Sequence, residues 1–402
     1  MQTSKKSFYL FAVFMVMYEF TTYAANDMIM PGMIKVIGEF HVGANYIALS
    51  LICYILGNAL LTLFIGPLSD RYGNRRVILT GATFFVLSTI AMVLTQNISQ
   101  FLLVRVIEGI GLSVIAAGYS IIHKNFNDAG AVKLIALMGN VAILAPLVGP
   151  MIGAAIVSNF NWRAVFYLII TLGVIAVVGL FQCIPPSKVE KNPHDLSLKR
   201  SLVEYIKVLR NKNFIIGLTI CTFSAISFVE WIGFSPAIIL YKLHKSYFAY
   251  TMYQLVAIGG VSISSISMQF IGGRVKFYKI LCVGLCCAIL AILINIAVFF
   301  AIPKLDLVSV GFFAFGFGGS LVGGIVMRTV MSDKSISSNY AMSAFIFVQM
   351  ILMMTALSIM THIIHTFNYS LDCLSLLNVI SWCFYCFFLM KFMRMHKNRE
   401  WE

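Results

Sequence analysis

The sequence predicts an all-α integral membrane protein with twelve transmembrane helices in two six-helix halves, and three observations lead there. The chain is 60% hydrophobic and only 11% charged over 402 residues, with a mean hydropathy of +0.91. A soluble domain carries about 25% charged residues, so lipid is the solvent for most of this surface. Apolar segments of about 20 residues, each enough to cross roughly 30 Å of hydrocarbon, recur along the whole length. A polar stretch with three prolines, Pro185, Pro186 and Pro193, separates six of these segments from six. No period-2 alternation of the outer-membrane kind is present, so the backbone has to satisfy its own polar groups in helices.

The twelve segments lie near 8–34, 44–65, 77–95, 99–122, 133–157, 163–183, 213–240, 248–271, 279–302, 306–328, 339–364 and 371–393. An even number puts both termini on one side. Most of the 29 Lys and Arg fall in one alternate set of loops and in the termini. The opposite set holds Lys35, Arg163, Lys242, Lys245 and Lys304. The positive-inside rule therefore makes both termini cytoplasmic. The net charge of +14 is spread through these short loops rather than along one face, which argues for a bilayer and against a nucleic-acid partner. Lys5-Lys6, an apolar run and Ala24-Ala25 imitate a signal peptide, but Glu19 interrupts the apolar core before any cleavage site.

The halves are expected at 1–183 and 213–402, joined by a cytoplasmic linker at 184–212. The linker's second part, LSLKRSLVEYIKVLRNK, sets Leu198, Leu202, Tyr205 or Ile206, and Leu209 on one helical face and basic residues on the other, a pattern for a helix lying on the anionic leaflet. The nine cysteines form no framework; most sit in spans as small packing residues, and no carboxylate or histidine converges on them. His123, His244, His362 and His365 lie at or near span ends, and no role is assigned to them.

Two motifs carry more than packing. In GPLSDRYGNRR, 66–76, Gly66 and Gly73 flank Asp70, whose carboxylate can neutralise a helix N-terminus. Arg71, Arg75 and Arg76 bring positive charge to the cytoplasmic side. A weaker echo, FIGGRVKFYK at 270–279, occupies the corresponding loop of the second half. The fifth span reads GNVAILAPLVGPMIGAA, where Pro146, Gly149, Pro150 and Gly153 leave small surfaces at helical spacing and permit a kink and close packing.

These residues resemble the major facilitator superfamily, and within it the drug/proton antiporters. The 66–76 loop is similar to that family's loop signature, and A-P-x-x-G-P-x-x-G in the fifth span to its antiporter signature. NWRAVF at 161–166 is similar to an element of drug exporters, and YEFTTYAANDMIMPGM at 18–33 to their first span. The likeness is most specific over 15–160 and looser afterwards, as at WIGFSP, 231–236. It implies the major facilitator fold, a bacterial inner-membrane location, a substrate site near the midplane, and a gating latch at 66–76. It implies no cofactor beyond a proton gradient. Nothing calls for more than one chain, so a monomer is expected.

The charges inside the spans can be placed by depth. Counting about 1.5 Å per residue, Glu19 lies near the midplane and Asp27 about 12 Å further out. Arg105, early in span four, falls level with Asp27, making the two natural partners. Glu108 is one turn from Arg105 and can pair with it at i and i+3. Glu230 in span seven is again near mid-depth, and the resemblance accounts for no acid there. Glu19, Tyr23, Asn26 and Asp27 share one helical face, which has to look into the bundle.

A carboxylate kept from water holds its proton near neutral pH, and a cationic drug entering the same cavity displaces that proton. Proton coupling is expected from Asp27, with Glu19 recognising positive charge and Arg105 modulating Asp27. Substrate contacts are expected from Glu19, Tyr23, Asn26, Asp27, Met30, Glu108, Phe228, Glu230 and Trp231, by their acidic, aromatic or thioether chemistry. The function expected is proton-coupled export of lipophilic, often cationic, molecules. An exporter dedicated to one metabolite such as a siderophore, or exchange of small cations for protons, fits Glu108 and Glu230 as well. A receptor or enzyme on the same scaffold finds no support, since no nucleotide loop, metal cluster or nucleophile–base set is present.

Overall fold

The computed structural model describes residues 5–125, 128–184, 198–271, 274–301, 303–333 and 338–396; the side chains of 5–8, 70, 123–125, 128–133, 136, 143, 198–202, 338 and 339 lie outside that description. The regular elements among the described residues are all helices, and the chain falls into two compact units, Met1–Ser197 and Leu198–Glu402.

In the first unit the helices are α1 (Lys5–Asp27), α2 (Met33–Glu39), α3 (Asn45–Tyr72), α4 (Asn74–Val93), α5 (Ile98–Ser113), α6 (Ile115–Asn125), α7 (Asp128–Asn159) and α8 (Arg163–Cys183). In the second they are α9 (Leu198–Arg210), α10 (Lys212–Pro236), α11 (Tyr247–Ile271), α12 (Phe277–Phe300), α13 (Leu305–Met331), α14 (Ser338–Thr366) and α15 (Leu371–Met395). The amphipathic segment of the linker forms α9. Ten helices among the described residues are long and apolar enough to cross a membrane. The set treats Ile98–Ile122 and Lys212–Lys242 as single spans, and it leaves out α1, which carries Glu19 and Asp27, and α7, whose apolar part is Leu144–Asn159.

The first span departs from expectation. An unbroken helix over 8–34 is replaced by α1 ending at Asp27, a 3-10 turn at Met30–Gly32, and the short α2. Pro31 has no N–H and its ring clashes with the carbonyl four residues back, that of Asp27, so the helix stops there although the apolar run continues. Span four also divides, at Val114, between α5 and α6.

Close packing rests on small residues, as it must where lipid supplies no hydrophobic drive between helices. A Cβ on Gly57 would come within 1.8 Å of the Val106 carbonyl oxygen, and one on Gly109 within 2.0 Å of that of Tyr54, which locks α3 to α5. The second unit repeats the device between α11 and α13, where a Cβ on Gly260 would meet the Phe313 oxygen at 2.1 Å. Outward faces carry Phe300, Phe248 and Leu103 at 80%, 73% and 62% exposure, a surface that only hydrocarbon tolerates.

Candidate functional site

Sequence places polar groups on one face of α1 because Glu19, Tyr23 and Asn26 recur at helical spacing, and the first unit closes around them. Glu19, Asp27, Arg105 and Glu108 are each buried to 2% exposure or less. Arg105, on α5, donates from Nη1 to Glu108 Oε2 at 2.6 Å and to the Ala25 carbonyl at 3.2 Å. Its Nη2 donates to Asn26 Oδ1 at 3.0 Å, and its guanidinium lies 4.6 Å from the centroid of the Tyr54 ring on α3. Asn26 in turn donates from Nδ2 to Asp27 Oδ1 at 2.9 Å. Thr89 on α4 donates to the other oxygen of Glu108 at 3.0 Å.

The expected direct pairing of Asp27 with Arg105 is thus corrected. The two are within electrostatic range, but Arg105 takes Glu108 as its ion-pair partner, and the Asn26 carboxamide stands between Arg105 and Asp27. The reason is local: Glu108 lies one turn along the same helix and needs no tertiary approach to reach Arg105. Asp27 ends its own helix, at a C-terminus where a helix dipole makes an anion costly.

Glu19 has looser company. Tyr119 on α6 donates to Oε1 at 3.3 Å, whereas Oε2 is buried without a hydrogen-bond partner. Tyr23 lies within electrostatic range of both Glu19 and Asp27. The fifth-span motif packs against this end of α1: a Cβ on Gly149 would sit 3.1 Å from Asp27 Cβ, and one on Gly153 only 1.9 Å from the Met28 carbonyl oxygen. Pro146 and Pro150 both lie within α7.

Other expected residues are placed elsewhere. Met30 is fully buried in the 3-10 turn. Phe228 is half-buried on α10. Trp231 is buried, donates its indole N–H to Gln254 on α11 and rests against Phe312 with ring centroids 4.7 Å apart. Glu230 is fully buried, and neither of its oxygens has a hydrogen-bond partner. These three belong to the second unit, and Glu19, Asp27 and Arg105 to the first.

In the 66–76 loop, Gly73 joins α3 to α4 at φ 84°, a backbone that side chains rarely adopt. Arg75 donates to the Phe181 carbonyl at 3.3 Å. Arg71 covers the Tyr72 ring at 5.3 Å, Arg76 is exposed, and Gly66 borders open space. The Asp70 side chain lies outside the described residues. Sequence reasoning missed Tyr54, Thr89, Tyr119 and Gln254; a hydroxyl or amide inside an apolar span was the available signal, but its partner is set by tertiary packing. All nine cysteines are free, and the described residues hold no cluster fit for a metal.

Buried charges gathered inside a bundle of apolar helices define a polytopic membrane protein of the transporter class. The chain belongs to the Major Facilitator Superfamily, whose pattern it matches over residues 15–357. It is 37% identical over 276 residues to the multidrug transporter MdfA of Edwardsiella piscicida, covering 68% of this chain and 67% of that one. With the multidrug transporter MdfA of Escherichia coli O6:H1 it shares 30% identity over 394 residues, 97% of this chain and 96% of the other. Among solved structures, a D-xylose-proton symporter aligns with a TM-score of 0.71 at 14% identity, over 94% and 97% of the two chains. A bacterial homologue of the human lysosomal transporter Spinster aligns at 0.70 and 15% identity, over 98% of each; both likenesses concern the fold.

Proposed function

We propose that the chain is a proton-driven antiporter that exports lipophilic, often cationic, small molecules across the bacterial inner membrane by alternating access. The observation that carries this reading is the buried Glu19–Asp27–Asn26–Arg105–Glu108 cluster of the first unit. Arg105 is neutralised by Glu108, which leaves Asp27 free to exist with or without its proton. Asn26 couples the two states: an ionised Asp27 strengthens its bond to the Asn26 amide, whose oxygen already faces the guanidinium. Glu19, with one carboxylate oxygen unpartnered, is the residue for a substrate's positive charge.

The names of the MdfA relatives support breadth of substrate, and the close fit of Gly149 and Gly153 against Asp27 and Met28 supports an antiporter role for the α7 motif. In this reading α1 and α7 complete twelve spans, both termini are cytoplasmic, residues 184–212 link the two halves 1–183 and 213–402, the 66–76 loop is a gating latch, and the protein works as a monomer. Expression in a pump-deficient bacterial host tests it. Resistance to several unrelated lipophilic cations, abolished by Asp27→Asn, is the expected result. No protection, with a single native product accumulating inside a deletion strain, selects the dedicated exporter instead.

A further inference from the structure

Glu230 is a carboxyl that the mechanism above leaves without work. It sits on α10 within the second unit, fully buried, and both oxygens lack a hydrogen-bond partner. Trp231, Ser235 and Ser227, its neighbours along α10, bond to other residues. Gln254 accepts from Trp231 and donates to Ser235 at 3.1 Å and to the Tyr250 hydroxyl at 2.6 Å. Ser227, one turn earlier on α10, accepts from the Trp382 indole at 2.7 Å.

On α13, α14 and α15 the charged groups stand towards helix ends: Asp306 and Arg328 on α13, Asp372, Lys391 and Arg394 on α15, with His362 and His365 on α14; α9, which also packs on α10, carries Glu204, Lys207 and Arg210. No ion pair or hydrogen bond joins Glu230 to any of them among the described residues. Arg328 instead covers the Phe277 ring at 5.4 Å. On α11, Tyr250 belongs to the Gln254 network and Tyr253 donates to Asp306 at 2.9 Å. Cys373 on α15 lies within electrostatic range of Glu230.

A buried carboxylate with no hydrogen bond and no paired cation costs far more than the neutral acid in the same place. A structural carboxyl would accept hydrogen bonds, as Glu108 does from Arg105 and Thr89, and Glu230 accepts none. We propose that Glu230 is a second proton-holding carboxyl of the transport cycle, housed in the C-terminal unit and separate from the Glu19–Asp27 cluster. This deepens the antiport reading and rests on it. The buried arrangement holds –COOH; the O–H bond breaks, and the proton passes to water, in an arrangement that hydrates α10.

Infrared difference spectroscopy on the purified full-length protein reads this directly. The carbonyl stretch of a protonated carboxyl is expected at neutral pH. It should be lost in Glu230→Gln, shifted in Glu230→Asp and kept in Asp27→Asn; the Asp variant decides the assignment should the Gln variant not accumulate. In vesicles loaded with tetraphenylphosphonium, the protons moved per cation exported should fall by one in the Glu230 variant. If no band is assigned to Glu230, or the wild-type ratio persists in Glu230→Gln, the inference is overturned. If wild-type protein moves no protons with the cation, the antiport reading itself has failed.

Discussion

Glu108→Gln separates the structural from the functional share of the buried cluster. The substitution keeps the shape and the Thr89 contact and removes the charge that Arg105 meets at 2.6 Å. Both side chains are wholly buried, so solvent cannot take over. Arg105 keeps Ala25, Asn26 and the Tyr54 ring, none of which carries a full charge. Removing one partner of such a pair costs about 3–5 kcal/mol. At roughly 2–4 °C per kcal/mol for a unit of this size, the thermal midpoint should fall by on the order of 10 °C. The counter-charge to Arg105 then devolves on Asp27 through Asn26, and export falls because Asp27 is no longer free to trade its proton. Replacing both partners, Arg105→Met with Glu108→Leu, should recover most of the stability, since an apolar pair of similar volume suits a buried site, and recover no export. Thermal unfolding in detergent and efflux from inverted vesicles measure the two effects. A double variant that exports normally, or a single variant with unchanged midpoint and efflux, refutes the reasoning.

The remaining predictions concern the helices and charges around that cluster. Gly153→Ala should abolish export and lower the thermal midpoint, because its Cβ meets backbone at 1.9 Å. Gly149→Ala, at 3.1 Å from a side-chain carbon, should be milder, and Gly139→Ala, facing open space, should behave as wild type; equal effects at the three sites would count against the packing argument. Glu19→Gln should retain efflux of uncharged lipophilic substrates and lose most efflux of monovalent cations, read as the ratio of the two rates. Glu39→Gln removes an ion pair with Arg163 that is partly open to solvent. It should cost under about 1 kcal/mol after screening and leave transport intact.

The membrane fold was legible because apolar composition and span length are local properties. The charged cluster was legible because an acid or arginine inside an apolar run is rare and has to face the bundle interior. Pairing was less so. Depth put Asp27 level with Arg105 and the i, i+3 spacing offered Glu108 as a rival partner, but neither showed that Asn26 would come between Asp27 and Arg105. The end of α1 was hidden for another reason: Met30, Pro31 and Gly32 break the helix without breaking the hydrophobic run that a hydropathy reading follows. Tyr119 and Thr89 reach Glu19 and Glu108 from other helices, so only tertiary packing selects them.

Proton release from the purified protein tests the central claim most directly. With tetraphenylphosphonium added to unbuffered detergent solution near neutral pH, the wild-type protein should release protons in proportion to the cation bound, and Asp27→Asn should release fewer. Binding of the cation with no proton release, or release undiminished in Asp27→Asn, would contradict the account.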